Sequence, residues 1–331
     1  MAMTDLARRT TYAALAAALS FAMLPASVAA AGYPDKPVKI IVAYPAGGDT
    51  DVLARWIGEK LSTKWGQPVV VENRSGAAGS IGSAFVARAT ADGYTLLLAP
   101  NTLAIVPHVL KPGTGADYNA QTDFTPIAEI GTQSLFLASS QQSGVKSVKD
   151  VVAGVKAGTL QSYASPGAGS PMHILAELFD KAAGTRINQI PYRGSAPAIV
   201  DLVGGQVPLM YTTLGPITSY VANGKLHLLA VADPQRSPFA PEVPTFAELG
   251  YKNVEVGAWQ ALLGPRGLPA EVVQKLNAAV NEIIRMPDIV SRAAVMGLTP
   301  TGGTPDALAR RITAEDTRYA RIIKEFGIQA N

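Results

Sequence analysis

The sequence predicts a two-lobed α/β fold, each lobe a mostly parallel sheet flanked by helices, with strands crossing between the lobes. Three observations lead there. From residue 37 onward, short apolar runs, glycine-rich turns and amphipathic stretches alternate. The alternation pauses at a loop rich in Pro, Gly and Asp over 111–125 and then begins again. Two apolar segments, 127–139 and 254–263, stand where the chain can pass from one unit to the other. This predicts a first lobe from 32–131 with 255–331, and a second lobe from 132–254.

The elements follow in order. Residues 38–43 are apolar except for Lys39, as in a buried parallel strand. Val52, Leu53, Trp56, Ile57 and Leu61 then lay one apolar stripe along a helix. A strand at 68–72, a glycine-rich turn at 76–82, a helix at 83–90 and a strand at 94–99 complete a βαβαβ unit. After the 111–125 loop, 127–139 reads as one long strand. A helix is predicted at 148–156, a strand at 160–164 and a helix at 171–183. A strand at 187–190, a helix at 196–203 and strands at 207–211 and 226–232 follow. The tail from 269 to 327 carries three helical patterns and a short strand near Leu298.

Residues 1–31 stand apart from this pattern. Arg8 and Arg9 precede an apolar run over 12–24 that only Ser20 interrupts, and small residues follow over 26–31. A charged start, a short apolar core and a small-residue exit describe a secretory leader cleaved near Ala30 or Ala31. The run is about 13 residues, short of the roughly 20 that span a bilayer. Thr10-Thr11 after the arginine pair leaves the general secretory and twin-arginine routes both open. The formal charge is +3 for 331 residues, and the leader's Asp5, Arg8 and Arg9 account for a net +1 of it. The remaining basic residues are scattered, which argues against nucleic acid as a partner. The chain has no cysteine, so neither disulfides nor a lipid-modified cysteine at the cleavage site is available to it. The expected product is an exported, freely diffusing protein, periplasmic where the host has an outer membrane.

Enzyme signatures are missing. His108, His173 and His227 are far apart and lack metal-ligand spacing. No nucleophile elbow or P-loop occurs, and no metal or cofactor motif stands out. Gly167-Ala168-Gly169 begins like a dinucleotide fingerprint, but Met172 holds the third glycine position. What the sequence does carry is three glycine-rich turns that each follow a strand and open a helix. They contain Ala46, Gly47, Gly48, Asp49 and Thr50; Ser165, Gly169 and Ser170; and Tyr192, Arg193, Gly194, Ser195 and Ala196. The first turn of a helix leaves backbone N–H groups without partners and bears partial positive charge. Glycine removes the Cβ that would hold a ligand away. Such turns suit anions, and tight turns are equally a plain need of parallel α/β folds.

Single residues have double readings. Ser170 either donates to a ligand or caps a helix that has Pro171 at its first position. His173 either faces a cleft or packs on a strand. Asp51 reads as a helix-start residue. Arg193 pairs with a ligand carboxylate or with a surface acid. Tyr44 and Trp259 stack on a ligand or belong to the core.

At these residues the chain resembles a known family. Tyr33-Pro34-x-Lys36-Pro37 and Pro45-x-Gly47-Gly48-x-x-Asp51 with Ala54-Arg55 carry the likeness, as do Gly66-Gln67-Pro68 and Val71-Glu72-Asn73-Arg74-x-Gly76-Ala77-x-Gly79-x-Ile81-Gly82. Asp92-Gly93-Tyr94-Thr95 continues it. In the second half the matches are Tyr163-Ala164-Ser165, Gly169-Ser170, His173, Pro191-Tyr192-x-Gly194, Gly204-Gly205-Gln206, Gly224-Lys225-Leu226, Pro244-Thr245 and Glu248-x-Gly250. Together they resemble the Bug family, the solute receptors of tripartite tricarboxylate transporters.

The resemblance implies a periplasmic binding protein fold, type II-like, that closes as a Venus flytrap on a small organic acid. The ligand would be a dicarboxylate, tricarboxylate or aromatic carboxylate. An integral membrane transporter pair is the implied partner of a monomeric mature chain. The resemblance carries the ligand loops onto residues 44–50, 165–170 and 192–196. Two departures bear on specificity. Asp49 stands where the family commonly has Pro, Ser, Gly or Asn, and in the cleft it would repel a carboxylate or favour an amine. Tyr211-Thr212-Thr213 stands where Phe and an acidic or amide residue are frequent, which adds Thr212 to the expected ligand contacts. The competing readings are a sensor that presents the bound acid to a two-component kinase and an enzyme, the latter without a supporting constellation.

Overall fold

The computed structural model describes residues 32–110, 113, 117–167, 169–192 and 194–328. The predicted leader and Arg193 lie outside the described residues. Two sheets organise the chain from residue 34 onward. The first contains β1 (Val38–Val42), β2 (Val69–Asn73), β3 (Thr95–Pro100), β4 (Phe124–Gln133), β10 (Ala258–Pro265) and β11 (Leu298–Pro300), in the order β11-β4-β10-β3-β1-β2. The second contains β5 (Leu135–Ser140), β6 (Ser162–Ser165), β7 (Asn188–Pro191), β8 (Leu209–Thr213) and β9 (Leu226–Val231), in the order β7-β6-β8-β5-β9.

The predicted parallel units are present. Strand β1 pairs parallel with β2 and β3, and β6 pairs parallel with β7 and β8. Both sheets are nonetheless mixed, because the strands next to the crossings run the other way. Strand β10 is antiparallel to β3 and β4, and β5 is antiparallel to β8 and β9. The single long strand expected over 127–139 is two strands. Their backbones pair with different sheets, and Ser134 is the one residue between them.

The helices form where spacing and caps place them. Helix α1 (Asp49–Trp65) buries Leu53, Ile57 and Leu61 on one face and ends at Gly66, whose φ of 66° suits a left-handed cap. Helix α2 (Ser80–Ala87) lies so close to the end of β1 that a Cβ on Gly82 would sit 2.7 Å from the Arg74 carbonyl oxygen and 2.8 Å from Ala43 Cα. Helices α3 (Val148–Lys156), α4 (Pro171–Ala183), α5 (Ser195–Val203) and the short α6 (Thr218–Ala222) belong to the second half. The tail forms α7 (Ala270–Ile283), α8 (Pro287–Val295) and α9 (Pro305–Phe326).

Helix α9 serves two cores. Its Leu308 and Ile312 pack with Ile41, Leu97, Leu103 and Trp259 against the first sheet. Its Tyr319, Ile322 and Ile323 pack with Leu135, Tyr163, Phe179 and Tyr211 against the second. The sequence assigned 255–331 to the first lobe; the far half of α9 also fills the core of the second. Among the described residues no helix is long and apolar enough to cross a membrane.

Candidate functional site

The turn between β1 and α1 is braced from behind and open in front. Asp51 is buried, and its carboxylate accepts from the Gly47 N–H (2.9 Å), from Arg55 Nε and Nη2 (3.0 and 2.9 Å) and from Asn73 Nδ2 (2.9 Å). Burial alone would raise its pKa; the Arg55, Gly47 and Asn73 hydrogen bonds outweigh burial and hold it below the ordinary value. Asn73 also donates to the Tyr44 carbonyl at 3.0 Å. The spaced residues Gly47, Asp51, Arg55 and Asn73 are therefore one device that fixes the turn. Gly47 sits at a φ of 84°, a conformation L side chains rarely adopt. Ala46, Gly47 and Gly48 are exposed, and Gly48 opens α1 without any side-chain cap.

Tyr44 does not stand free as a stacking platform. Its hydroxyl donates to the Ala78 carbonyl at 3.2 Å, and its ring lies where a Cβ on Gly79 would fall. Burial pushes its phenol up to about 12, with a Thr102 hydrogen bond opposing. Trp259 is fully buried in the core of the first sheet. Thr50 is buried and donates to Gln260 Oε1 at 3.1 Å.

Asp49 is half-buried, and its Oδ2 joins the two sheets. It accepts from Thr213 Oγ1 (2.9 Å) at the end of β8 and from Gln133 Nε2 (3.2 Å) at the end of β4. Burial raises its carboxyl above the usual range, against the pull of these two hydrogen bonds. Strand β8 runs on past the predicted 207–211 through Thr213. All of β8 is buried; Thr212 is fully so, and its hydroxyl donates to the Thr213 carbonyl at 3.2 Å. The neighbouring threonine, not Thr212, meets Asp49.

The turn from β6 to α4 is closed on itself. Ser165 is fully buried; its hydroxyl accepts from the Gly167 N–H (3.2 Å) and from Gln189 Nε2 (2.6 Å). Ser170 Oγ donates to the Gly167 carbonyl (2.8 Å) and accepts from the His173 N–H (3.2 Å), which is a helix cap. His173 Nδ1 accepts from the Gly169 N–H at 3.3 Å, and its Nε2 faces Glu177 at 3.5 Å. Both imidazole nitrogens thus face groups of the same helix and its opening turn. Gly169 has a φ of 73°, and a Cβ there would meet Val109 at 2.9 Å, so this turn also packs against the segment that follows β3.

The turn from β7 to α5 is open. Gly194 begins α5 at a φ of 110° without a side-chain cap, Ser195 is half-buried and Ala196 is exposed. Tyr192 points away: its hydroxyl donates to Asp201 at 2.7 Å, and burial together with that carboxylate keeps its phenol up at about 12. The Tyr192 N–H donates to the Ser165 carbonyl, which ties the two second-sheet turns together. Of the three predicted ligand turns, those that open α1 and α5 leave their helix N-termini without a side-chain cap, as do α2, α6, α7 and α8 among the described residues, and each of the two lies beyond the carboxyl end of a strand, where open α/β sheets bind ligands.

Sequence reasoning missed Gln133 and Asn73 as site residues, and of the hydroxyls in Tyr211-Thr212-Thr213 it chose Thr212 over Thr213. Gln133 was visible as an amide inside an apolar crossing strand; the facing of Thr213 had no sequence signal. A cavity of about 260 Å³ lies off these turns, lined by Ser80, Val106, Pro107, Leu110, Gly113, Asp117 and Tyr118. None of the predicted ligand residues lines it. Among the described residues no group of three or more His, Asp or Glu is placed to hold a metal ion.

Known proteins share this fold. The family model described as the tripartite tricarboxylate transporter family receptor matches residues 53–328. BugT of Bordetella pertussis is 36% identical over 311 residues, covering 93% of this chain and 95% of BugT. The solved structure of the periplasmic binding protein BugD superposes with a TM-score of 0.83 at 32% identity, covering 90% of this chain and 100% of that one. An R. palustris protein solved with adipate gives 0.84 at 32% identity, covering 90% and 99%. MatC from Rhodopseudomonas palustris, solved with bound malate, gives 0.81 at 30% identity, covering 88% and 100%. With its two mixed sheets, their flanking helices and the braced glycine turn after β1, this chain belongs to the tripartite tricarboxylate transporter receptor family, the Bug-type solute-binding proteins.

Proposed function

We propose that this protein captures a small organic carboxylate between its two lobes and delivers it to a membrane transporter pair of the tripartite tricarboxylate type. The lobes are residues 32–131 with 255–331, and 132–254, and the chain passes from the first sheet to the second at Ser134. The observation that carries the reading is the pair of uncapped helix N-termini, behind Gly48 in one lobe and Gly194 in the other. Each offers backbone N–H donors and partial positive charge to one end of a diacid. Hydrogen bonds to charged groups are worth roughly 1.5–3 kcal/mol each, so a few supply micromolar binding near −8 kcal/mol. Adipate and malate in two similar structures support the ligand class.

The ligand contacts are the backbone of Ala46, Gly47 and Gly48, the opening of α1 at Asp49 and Thr50, and Gly194, Ser195 and Ala196 with Arg193. Ser165, Gly169, Ser170 and His173 shape the neighbouring turn. Closure is favoured because only the closed form lets both lobes hold the ligand. The protein works in the periplasm, without a lipid anchor, as a monomer. It performs no chemistry on its ligand. A thermal-shift screen against dicarboxylates, tricarboxylates, aromatic acids and amino acids tests the reading. A ligand at 100 times its dissociation constant adds about 2.7 kcal/mol to stability. No shift with any of these acids would overturn it.

A further inference from the structure

Asp49 is an acid whose hydrogen-bond partners among the described residues are all neutral, placed where the two lobes meet. Its Oδ2 accepts from one hydroxyl and one carboxamide, and its Oδ1 makes no hydrogen bond among the described residues. No Lys, Arg or His of the described residues forms an ion pair with it. The carboxamide that grips it is itself incomplete. Gln133 is 4% exposed; its Nε2 donates to Asp49 and, at 3.3 Å, to the Met296 carbonyl. Both of those partners are acceptors, so the nitrogen is assigned by its own contacts. Gln133 Oε1 is then left as a buried acceptor without a donor. A negative charge and an orphan acceptor on adjoining groups call for a positively charged donor.

A primary ammonium brings one positive charge and three N–H donors. The geometry points to an amine-bearing organic acid, an amino acid being the simplest, as the ligand of this cleft, with Asp49 and Gln133 receiving its ammonium. The inference rests on the carboxylate reading above: the acid end goes to an open helix N-terminus, and Asp49 decides between acids that have an amine and acids that lack one. A plain dicarboxylate brought against Asp49 meets like charge. An ammonium there cancels the charge and supplies the missing donor. The raised carboxyl of Asp49 fits the same picture: burial raises it, and the two neutral donors that oppose burial do not bring it back down.

The test is calorimetric titration of the purified protein with acids paired to differ by one amine: succinate with aspartate, glutarate with glutamate, adipate with 2-aminoadipate. In the best-binding pair the amine-bearing member should bind at least tenfold more tightly, about 1.4 kcal/mol. Asp49→Asn should bring that ratio close to one by weakening the amine-bearing member. Asp49→Asn should melt no lower than the parent without ligand, which confirms folding. If the amine-free member binds as tightly or more tightly, the inference is overturned while the carboxylate reading stands. If a preference for the amine survives Asp49→Asn unchanged, Asp49 does not set it and the inference is overturned. If no acid of any pair binds, the inference is overturned, and the thermal-shift screen with tricarboxylates and aromatic acids decides the carboxylate reading separately.

Discussion

The turns that open α1 and α4 look alike in sequence and differ in how they spend their donors. Both follow a strand, contain glycine at positive φ and begin a helix. At α4 the turn consumes itself: Ser170 caps the helix, and His173 takes the Gly169 N–H. At α1 the turn glycine is held in the same way, its Gly47 N–H taken by Asp51 of the first helical turn, which Arg55 and Asn73 hold in place, but no side chain caps the helix and Gly48 is left uncapped. On the proposed reading, the difference is the cap: a glycine turn offers its amides to a ligand where no side chain of its own helix takes them. One that caps itself is scaffold. The turn at α5, uncapped and begun by Gly194, falls with α1.

The largest break in this comparison should come from Gly48→Val. Gly48 has ordinary extended backbone, and only the Pro45 carbonyl oxygen, at 3.8 Å, lies near an added Cβ. The fold should therefore remain intact, while a branched side chain in front of the α1 amides lowers acid affinity by more than 100-fold in calorimetry. Retained affinity would place the ligand elsewhere.

Next is Asp51→Ala, which removes the brace, leaves the Gly47 N–H without its acceptor and leaves the Asn73 amide only the Tyr44 carbonyl. Unfolding in urea should show a loss of about 2 kcal/mol, accompanied by weaker ligand binding. The same residue gives a pH signature. Asp51 holds its proton less tightly when folded than when unfolded. Its contribution is therefore complete above the unfolded value of about 3.9 and is lost as pH falls through the lower folded value. Stability of the parent should fall more steeply with acid in that window than stability of Asp51→Ala; equal slopes would show that the brace is not ionic.

The smallest effect sharpens the contrast from the other side. Ser170→Ala removes a helix cap and should cost about 1 kcal/mol in the same urea measurement, with ligand affinity changed less than threefold. A large affinity loss without a stability loss would move Ser170 from scaffold to ligand contact.

Much of this was legible beforehand because it is local. Apolar runs of four to six residues and stripes at helical spacing gave the alternating elements, and Ser-Pro at 170–171 announced a cap. The block from Val71 to Gly82 marked the family, and the structure supplies reasons for parts of it: Asn73 ties the α1 turn, and Gly82 lets α2 lie against β1. What could not be read depended on distance or on facing. Tyr192 turns its hydroxyl to Asp201, one helix turn beyond anything its own loop signals. Residues 127–139 read as one strand because apolar periodicity does not say which sheet will pair with it.

By itself, then, the sequence determined the fold class, the places where glycine turns meet helices, and Asp49 as a departure from the family pattern in the first of those turns. The tertiary structure decided which turns are open, that Thr213 rather than Thr212 meets Asp49, and that Gln133 stands beside them with an acceptor unused. The reason is physical. Periodicity and turn chemistry act between near neighbours, whereas the partner of a side chain at a lobe boundary is fixed only when β4, β8 and α1 have all been packed into place.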